Sequence, residues 1–235
     1  MGLHKNGCII CGKDLKYFNP AKKLVCAKCG KEFEATASCE DGHFICDACH
    51  AQAGYEHITS VASHTDSKNP ILIAREMMQG DGVNMHGPEH HYLVIAALLA
   101  AYKNSGGQID LEKSLQLARE RSRKVPGGIC GFWGCCGAAV GSGIFISIVT
   151  GSTPLSEKEW SLANKMTSLS LDSISQNGGP RCCKRDTKLA ILSAIRFARE
   201  NLHIEMEQPE IVTCSFFGGN PSCKKEECLF YPQKG

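Results

Sequence analysis

The sequence predicts a mainly α protein, an all-α helical domain with a small cysteine-stapled module in front of it. Three observations carry that expectation. Cysteines gather in three groups, Cys8 to Cys49, Cys130 to Cys183 and Cys214 to Cys228. Residues 69–203 are punctuated by helix starts and stops and carry apolar stripes at helical spacing. Almost nothing in that span alternates with period two, as a half-buried strand would. The chain therefore divides into a cysteine-rich module over 1–60, a helical domain over 69–203 and a cysteine-containing tail over 204–235. The polar stretch HTDSKNP connects the first two.

In the module, Cys8-x2-Cys11 and Cys26-x2-Cys29 are two knuckles separated by fourteen residues. A knuckle lets two thiolates reach one ion through a tight turn, and two knuckles complete a tetrahedral site. Gly12 and Gly30 each follow a second cysteine, where the turn needs open backbone angles. A second group follows at once, Cys39, His43, Cys46 and Cys49, with His50 as an alternative ligand. The spacing leaves open whether the two groups pair sequentially or interleave. Either way the expectation is a zinc-ribbon or treble-clef-like module holding two zinc ions, which fold a segment too small for its own core.

In the helical domain, Asn69-Pro70 opens a short helix through ILIAREMMQ. Pro88 stands at the start of EHHYLVIAALLAAYKN, which Gly106-Gly107 stops. Asp110 caps LEKSLQLARERSRKV, where Leu111, Leu115 and Ala118 share a face. A fourth helix is expected from Cys135 to Thr150. A fifth runs from Ser156 to Gln176, with Ser156 and Glu159 as a capping box. The last runs from Cys183 to Leu202 and carries Ile191, Ile195, Ala198 and Leu202 as its stripe.

The bulk numbers narrow the function classes. The chain has 235 residues, 15 cysteines and a formal net charge of +2, so nothing marks a polyanion partner and nucleic acid is disfavoured. No signal-peptide core opens the sequence, and the longest apolar run, Cys135 to Val149, is too short for a bilayer. A cytoplasmic protein with no membrane partner is expected. There thiols stay reduced, so cysteine clusters point to metal or redox chemistry rather than disulfides.

Cysteines recur at helix starts. Cys135 and Cys136 lie in the first turn of one helix, Cys182 and Cys183 open another, and His86, His90 and His91 flank a third. Helix N-termini favour thiolate over thiol and attract anions. If the three starts converge, Cys130, Cys135, Cys136, Cys182 and Cys183 line one electropositive pocket beside Arg181, Lys184 and Arg185. The competing reading of Gly-Cys-Cys-Gly is close helix packing, with cysteine as a small hydrophobe.

Two resemblances bear on these residues. CEDGHFICDACH resembles the middle of RING and treble-clef zinc modules, but the closing CxxC pair of a RING is missing, so ubiquitin-ligase function does not follow. GCCGAAVGSG, PRCCKRDTKLAILSAI and the PGGICG loop resemble cluster-binding segments of iron–sulfur L-serine dehydratase alpha chains and L-cysteine desulfidases. That resemblance implies a [4Fe–4S] cluster with one open iron, held by Cys135 or Cys136 and Cys182 or Cys183, in a lyase. Arg181 or Arg185 would grip the carboxylate of a small anionic substrate, and His86 or His90 would be the general base. As a whole the chain looks similar to an uncharacterised cysteine-rich family of anaerobic bacteria and archaea, sometimes fused to methyltransferases.

The tail offers Cys214, Cys223 and Cys228, one short of a closed site. A fourth ligand from the helical domain, a cluster with an open iron, or closure of the central pocket would each complete it. The alternative to a lyase is a zinc-stabilised redox or sulfur-transfer protein, or an accessory protein serving a methyltransferase or metal-assembly partner. No Walker loop, dinucleotide fingerprint or nucleophile elbow is present.

Overall fold

A long antiparallel hairpin opens the protein, with strand β1 over Leu15–Val25 and β2 over Glu32–Cys39. The computed structural model describes residues 7–80 and 82–232. The hairpin register pairs Leu15 with Cys39 at the open end and Val25 with Glu32 at the turn. The first knuckle therefore sits at the open end and the second forms the turn. Each knuckle closes with the same bonds: Gly12 N–H to Cys8 O at 2.7 Å and Gly30 N–H to Cys26 O at 2.8 Å. Both glycines are left-handed, at φ 77° and 70°, as the CxxCG spacing predicts.

Eight α-helices follow among the described residues: α1 Asp47–His64, α2 Pro70–Met78, α3 Glu89–Asn104, α4 Leu111–Ser122, α5 Ile129–Phe132, α6 Gly137–Val149, α7 Lys158–Asn177 and α8 Cys183–Leu202. The protein is mainly helical behind a small two-stranded module, as the patterning predicts. The centre is α3, whose residues from Tyr92 to Ala101 are all fully buried. A helix apolar on every face must be wrapped by others, and α1, α2, α4, α6 and α8 surround it. α7 covers the outside of α6 and α8.

The caps agree in part with the sequence. The Asn69 side chain accepts from the N–H groups of Ile71 and Leu72, and the Asp110 side chain from Lys113 N–H. The Ser156–Glu159 capping box does not form. The Ser156 hydroxyl instead accepts Thr153 N–H at 3.0 Å in the preceding turn, and α7 starts at Lys158. α6 starts at Gly137, with Cys136 as its N-cap and Cys135 outside it. α1 had no sequence signal, because its first turn lies inside the ligand-rich CDACH and its stripe is short.

α1 joins the two parts. Cys46 is its N-cap and Cys49 lies in its first turn, while Tyr55 and Ile58 further along are buried against the helical core. Tyr55 meets Tyr92 of α3 edge-on at 5.4 Å, and the Tyr92 hydroxyl lies 2.9 Å from Thr59 Oγ1. On the other side of α3, α6 approaches through glycines. A Cβ at Gly141 would lie 2.9 Å from the carbonyl oxygen of His91.

Candidate functional site

Two groups of ligands crowd together in the module. Cys8, Cys11, Cys39 and His43 form one, and Cys26, Cys29, Cys46 and Cys49 the other, each with its ligand atoms within 4.8 Å of one another. The arrangement interleaves, so of the two pairings the spacing left open it is not the one in which both knuckles share an ion. The physical reason is the hairpin, which carries the knuckles to opposite ends and returns Cys39 to the first of them. A Zn–S distance of ~2.3 Å in a tetrahedron places sulfurs ~3.8 Å apart. Cys11 and Cys39 Sγ are 3.8 Å apart, and Cys29 and Cys46 Sγ 3.9 Å, so each site fits a zinc ion.

Backbone amides prepare these thiols. Ile10 N–H points at Cys8 Sγ from 3.4 Å and Cys46 N–H at Cys26 Sγ from 3.3 Å. Against burial, which raises it, the N–H groups of Cys46, Cys29 and Lys28 pull the Cys26 thiol down to about 6. His50 stands outside both groups, its Nδ1 3.6 Å from Glu89 Oε2 in the helical domain.

The three helix starts singled out in the sequence do converge. Cys136 Sγ at the start of α6 lies 3.9 Å from Asp186 Oδ2 in the first turn of α8. Gly87, just ahead of α3, turns its N–H near enough to the Cys183 thiol to draw its pKa down a little against burial. Asn220 of the tail bridges the other two, with Oδ1 3.4 Å from His86 Nε2 and Nδ2 donating to Cys182 Sγ at 3.7 Å. Most unusual is the start of α8, where Lys184, Arg185, Asp186, Thr187 and Lys188 are all buried. Runs of buried charge are rare in a fold unless something pairs with them.

Around this point the candidate residues separate into two spaces. A cleft of about 980 Å³ takes Cys130, Cys136, Arg181, Arg185 and Asp186, with Tyr17 of the hairpin on its rim. Gly131, Gly134 and Gly179 line it, and a Cβ at any of them would meet nothing within 4 Å. Side chains there would stand in the opening, so glycine keeps it clear. A second, smaller cavity under the tail takes Cys182, Cys214, Cys223 and Cys228 with Lys184 and Lys188. Arg185 lies on the wall between them. Cys135 and Cys183 line neither space, nor do His86 and His90.

The electrostatics differ from the sequence expectation in two respects. Two arginines and two aspartates, Arg181, Arg185, Asp172 and Asp186, line the cleft, so it is charge-balanced rather than plainly electropositive. Asp186 is tied to Arg185, with Nε donating to Oδ1 at 3.0 Å, which leaves Arg181 as the available cation. Nor do helix ends lower the thiols. Burial, with Asp186 nearby, pushes Cys136 up to about 12, and burial pushes Cys183 up to about 12. Desolvation outweighs the helix-end field.

The histidines are buried deeply. Burial, then the charge of Arg181, holds His86 down at about 4, and burial holds His90 well below the usual histidine range. His90 Nε2 and His86 Nδ1 have no hydrogen-bond partner. Glu89 beside them is fully buried. Burial raises its carboxyl, but hydrogen bonding from His50 and the field of His90 bring it down to about 2.

Sequence reasoning did not single out Lys188, Asp186, Asn220 or Tyr17. KRDTK at a helix start looks solvated until the tail covers it. No helix of the described residues is long and apolar enough to cross a membrane. No curated protein and no solved structure matches the chain. A family profile matches residues 58–231, from the middle of α1 to the end of the tail, and so takes in the cleft and the tail cavity but not the hairpin with its ligands. On that match the chain belongs to the family of unknown function DUF5714.

Proposed function

We propose that this metal-binding protein is an iron–sulfur-dependent lyase that eliminates water or sulfide from a small anionic substrate held in the cleft. Two zinc ions fold its hairpin module. The observation that carries the reading is the cleft itself, which gathers Cys130, Cys136 and an available Arg181 between the starts of α6 and α8. Cys183 lies close enough to Cys136 to feel its charge. Three thiols are one fewer than a closed cluster uses. Thiols pushed to about 12 give up a proton at neutral pH only to a metal, and glycine walls keep the space clear for a group of cluster size.

Such a cluster supplies, at its open iron, a Lewis acid for a hydroxyl or thiol leaving group. The chain's own residues do the rest. Arg181 holds the substrate carboxylate, and Asp186 keeps Arg185 and the cleft wall in place. The sulfur-transfer alternative needs thiolates at neutral pH, which the burial of Cys136 and Cys183 opposes.

The test is metal and sulfide content of protein purified without oxygen, with turnover of L-serine, L-cysteine and related acids. Cys136→Ser is expected to lose about four irons. Arg181→Met is expected to raise KM by about 10- to 100-fold, from one charge-assisted hydrogen bond. Zinc alone, with no iron after anaerobic reconstitution, would sink the lyase and leave an accessory protein.

A further inference from the structure

The thiols under the tail are not needed by the cleft, and they have a geometry of their own. Cys214, Cys223 and Cys228 come from the tail and Cys182 from the N-cap of α8. Cys214 N–H donates to Phe230 O at 2.7 Å, drawing both ends of the tail segment together over α8. Phe216 and Phe230 are buried beneath it.

Each sulfur but Cys228 is met by a donor. Phe216 N–H points at Cys214 Sγ from 3.4 Å and Lys225 N–H at Cys223 Sγ from 3.3 Å. These are the same bonds, from residue i+2 back to the sulfur of residue i, that Ile10 makes to Cys8 in the module. Asn220 Nδ2 serves Cys182.

Two cations face this set. Lys184 is 0% exposed and Lys188 3%. None of the ion pairs among the described residues includes either. Lys184 Nζ has Met78 O at 3.5 Å and the Phe216 ring at 4.7 Å; Lys188 Nζ has Lys184 O at 3.4 Å and rests over the Phe216 and Phe230 rings. Apart from the field of Glu89 on Lys184, only neutral carbonyls and ring faces meet the two ammonium groups, and these do not repay their burial. Four thiolates around a divalent core carry two negative charges, which two lysines balance.

Spacing selects the core. Both module sites hold their ligand atoms within 4.8 Å, but no three of these four sulfurs do. They line one cavity, and a group wider than a single ion is needed to reach them all. We propose that Cys182, Cys214, Cys223 and Cys228 bind a second, closed [4Fe–4S] cluster, separate from the cleft, with Lys184 and Lys188 as its built-in counter-charges. With every iron capped by cysteine, this cluster takes no substrate.

The experiment compares full-length protein, purified without oxygen, with Cys223→Ser, Cys182→Ser and Cys136→Ser. Iron, sulfide and zinc are counted, and the dithionite-reduced proteins are examined by electron paramagnetic resonance. Cys223→Ser and Cys182→Ser should each lose about four irons and four sulfides, keep about two zinc and keep their helicity. Cys136→Ser should keep the tail iron, and the tail signal should not respond to added carboxylate substrates. Lys188→Met should keep the iron but lower its midpoint potential.

Iron content unchanged in Cys223→Ser, or a third zinc lost in its place, overturns the proposal. If Cys223→Ser does not fold, Cys182→Ser and the wild-type signal decide, and a wild-type iron signal that responds wholly to substrate overturns it equally. The lyase reading fails separately. An empty cleft leaves about four irons that only the tail and Cys182 variants remove, whereas an empty tail leaves about four that only Cys136→Ser removes.

Discussion

Gly141→Ala tests how α6 reaches the centre. A Cβ there would lie 2.9 Å from the carbonyl oxygen of His91 and 3.4 Å from Ile95 Cγ1 and Val94 Cβ, where ordinary contact begins at 3.4 Å. The backbone oxygen belongs to α3 and cannot swing aside, so the helices must part by about 0.5 Å there. Overpacking of this kind costs about 1–3 kcal/mol. Alanine returns up to about 1 kcal/mol of helix propensity. The net is a destabilisation of about 1 kcal/mol, or about 2–4 °C in Tm for a chain of this size.

Gly137 gives the contrast, because its Cβ would run into the His91 ring instead of the backbone. Circular dichroism melts of metal-loaded protein, in a cycle with His91→Ala, separate the two. Replacing His91 should relieve the clash of Gly137→Ala and leave that of Gly141→Ala untouched. A Gly141→Ala protein that melts higher than wild type would refute the close approach of α3 and α6.

Three further outcomes are expected. In metal-stripped protein at pH 8, a thiol pushed to about 12 should alkylate about 1000-fold more slowly than one at 9, so mass-spectrometric mapping should find Cys183 among the last to react; rapid labelling would refute its burial. Glu89→Gln should cost up to about 3 kcal/mol, since a carboxyl at about 2 instead of 4.5 stabilises the fold above pH 4.5 and loses that effect as pH falls through 2. Urea melts at pH 6 should show the deficit, and a Glu89→Gln protein as stable as wild type there would refute it. Tyr92→Phe should cost about 1 kcal/mol through the bond to Thr59, with no change in metal content.

Much of this fold is legible in the residues, and the failures share a cause. Asn69, Asp110 and the apolar run of α3 act locally, so their helices stand where the sequence puts them. The eight ligands of the module are also legible from spacing alone. Their pairing is not, because it depends on the hairpin register, a contact between distant residues. The same holds at the start of α8. Cys182 and Cys183 are neighbours in sequence, yet Cys182 faces the tail and Cys183 faces Gly87, and only the packed helix separates them. Helix-end fields suggested lowered thiols because burial depth cannot be read from a helix start. Gly137, Gly141 and Gly143 of GCCGAAVGSG serve close packing, while Gly134 and Cys136 open onto the cleft. Both readings of that motif were therefore needed.

The way α1 begins has a consequence for the cleft. Between its two ligands, Cys46 and Cys49, stands Asp47, whose Oδ2 accepts Gly127 N–H at 2.7 Å from the loop that leads to Cys130. Tyr17 of the hairpin meets the Phe132 ring at 6.3 Å and lies beneath the Arg181 guanidinium at 5.6 Å. An ion held by Cys26, Cys29, Cys46 and Cys49 would thus work as a gauge block. It would set the distance between a wall built by the hairpin and a wall built by the helices, so that the width of the opening would follow from how one small coordination sphere closes.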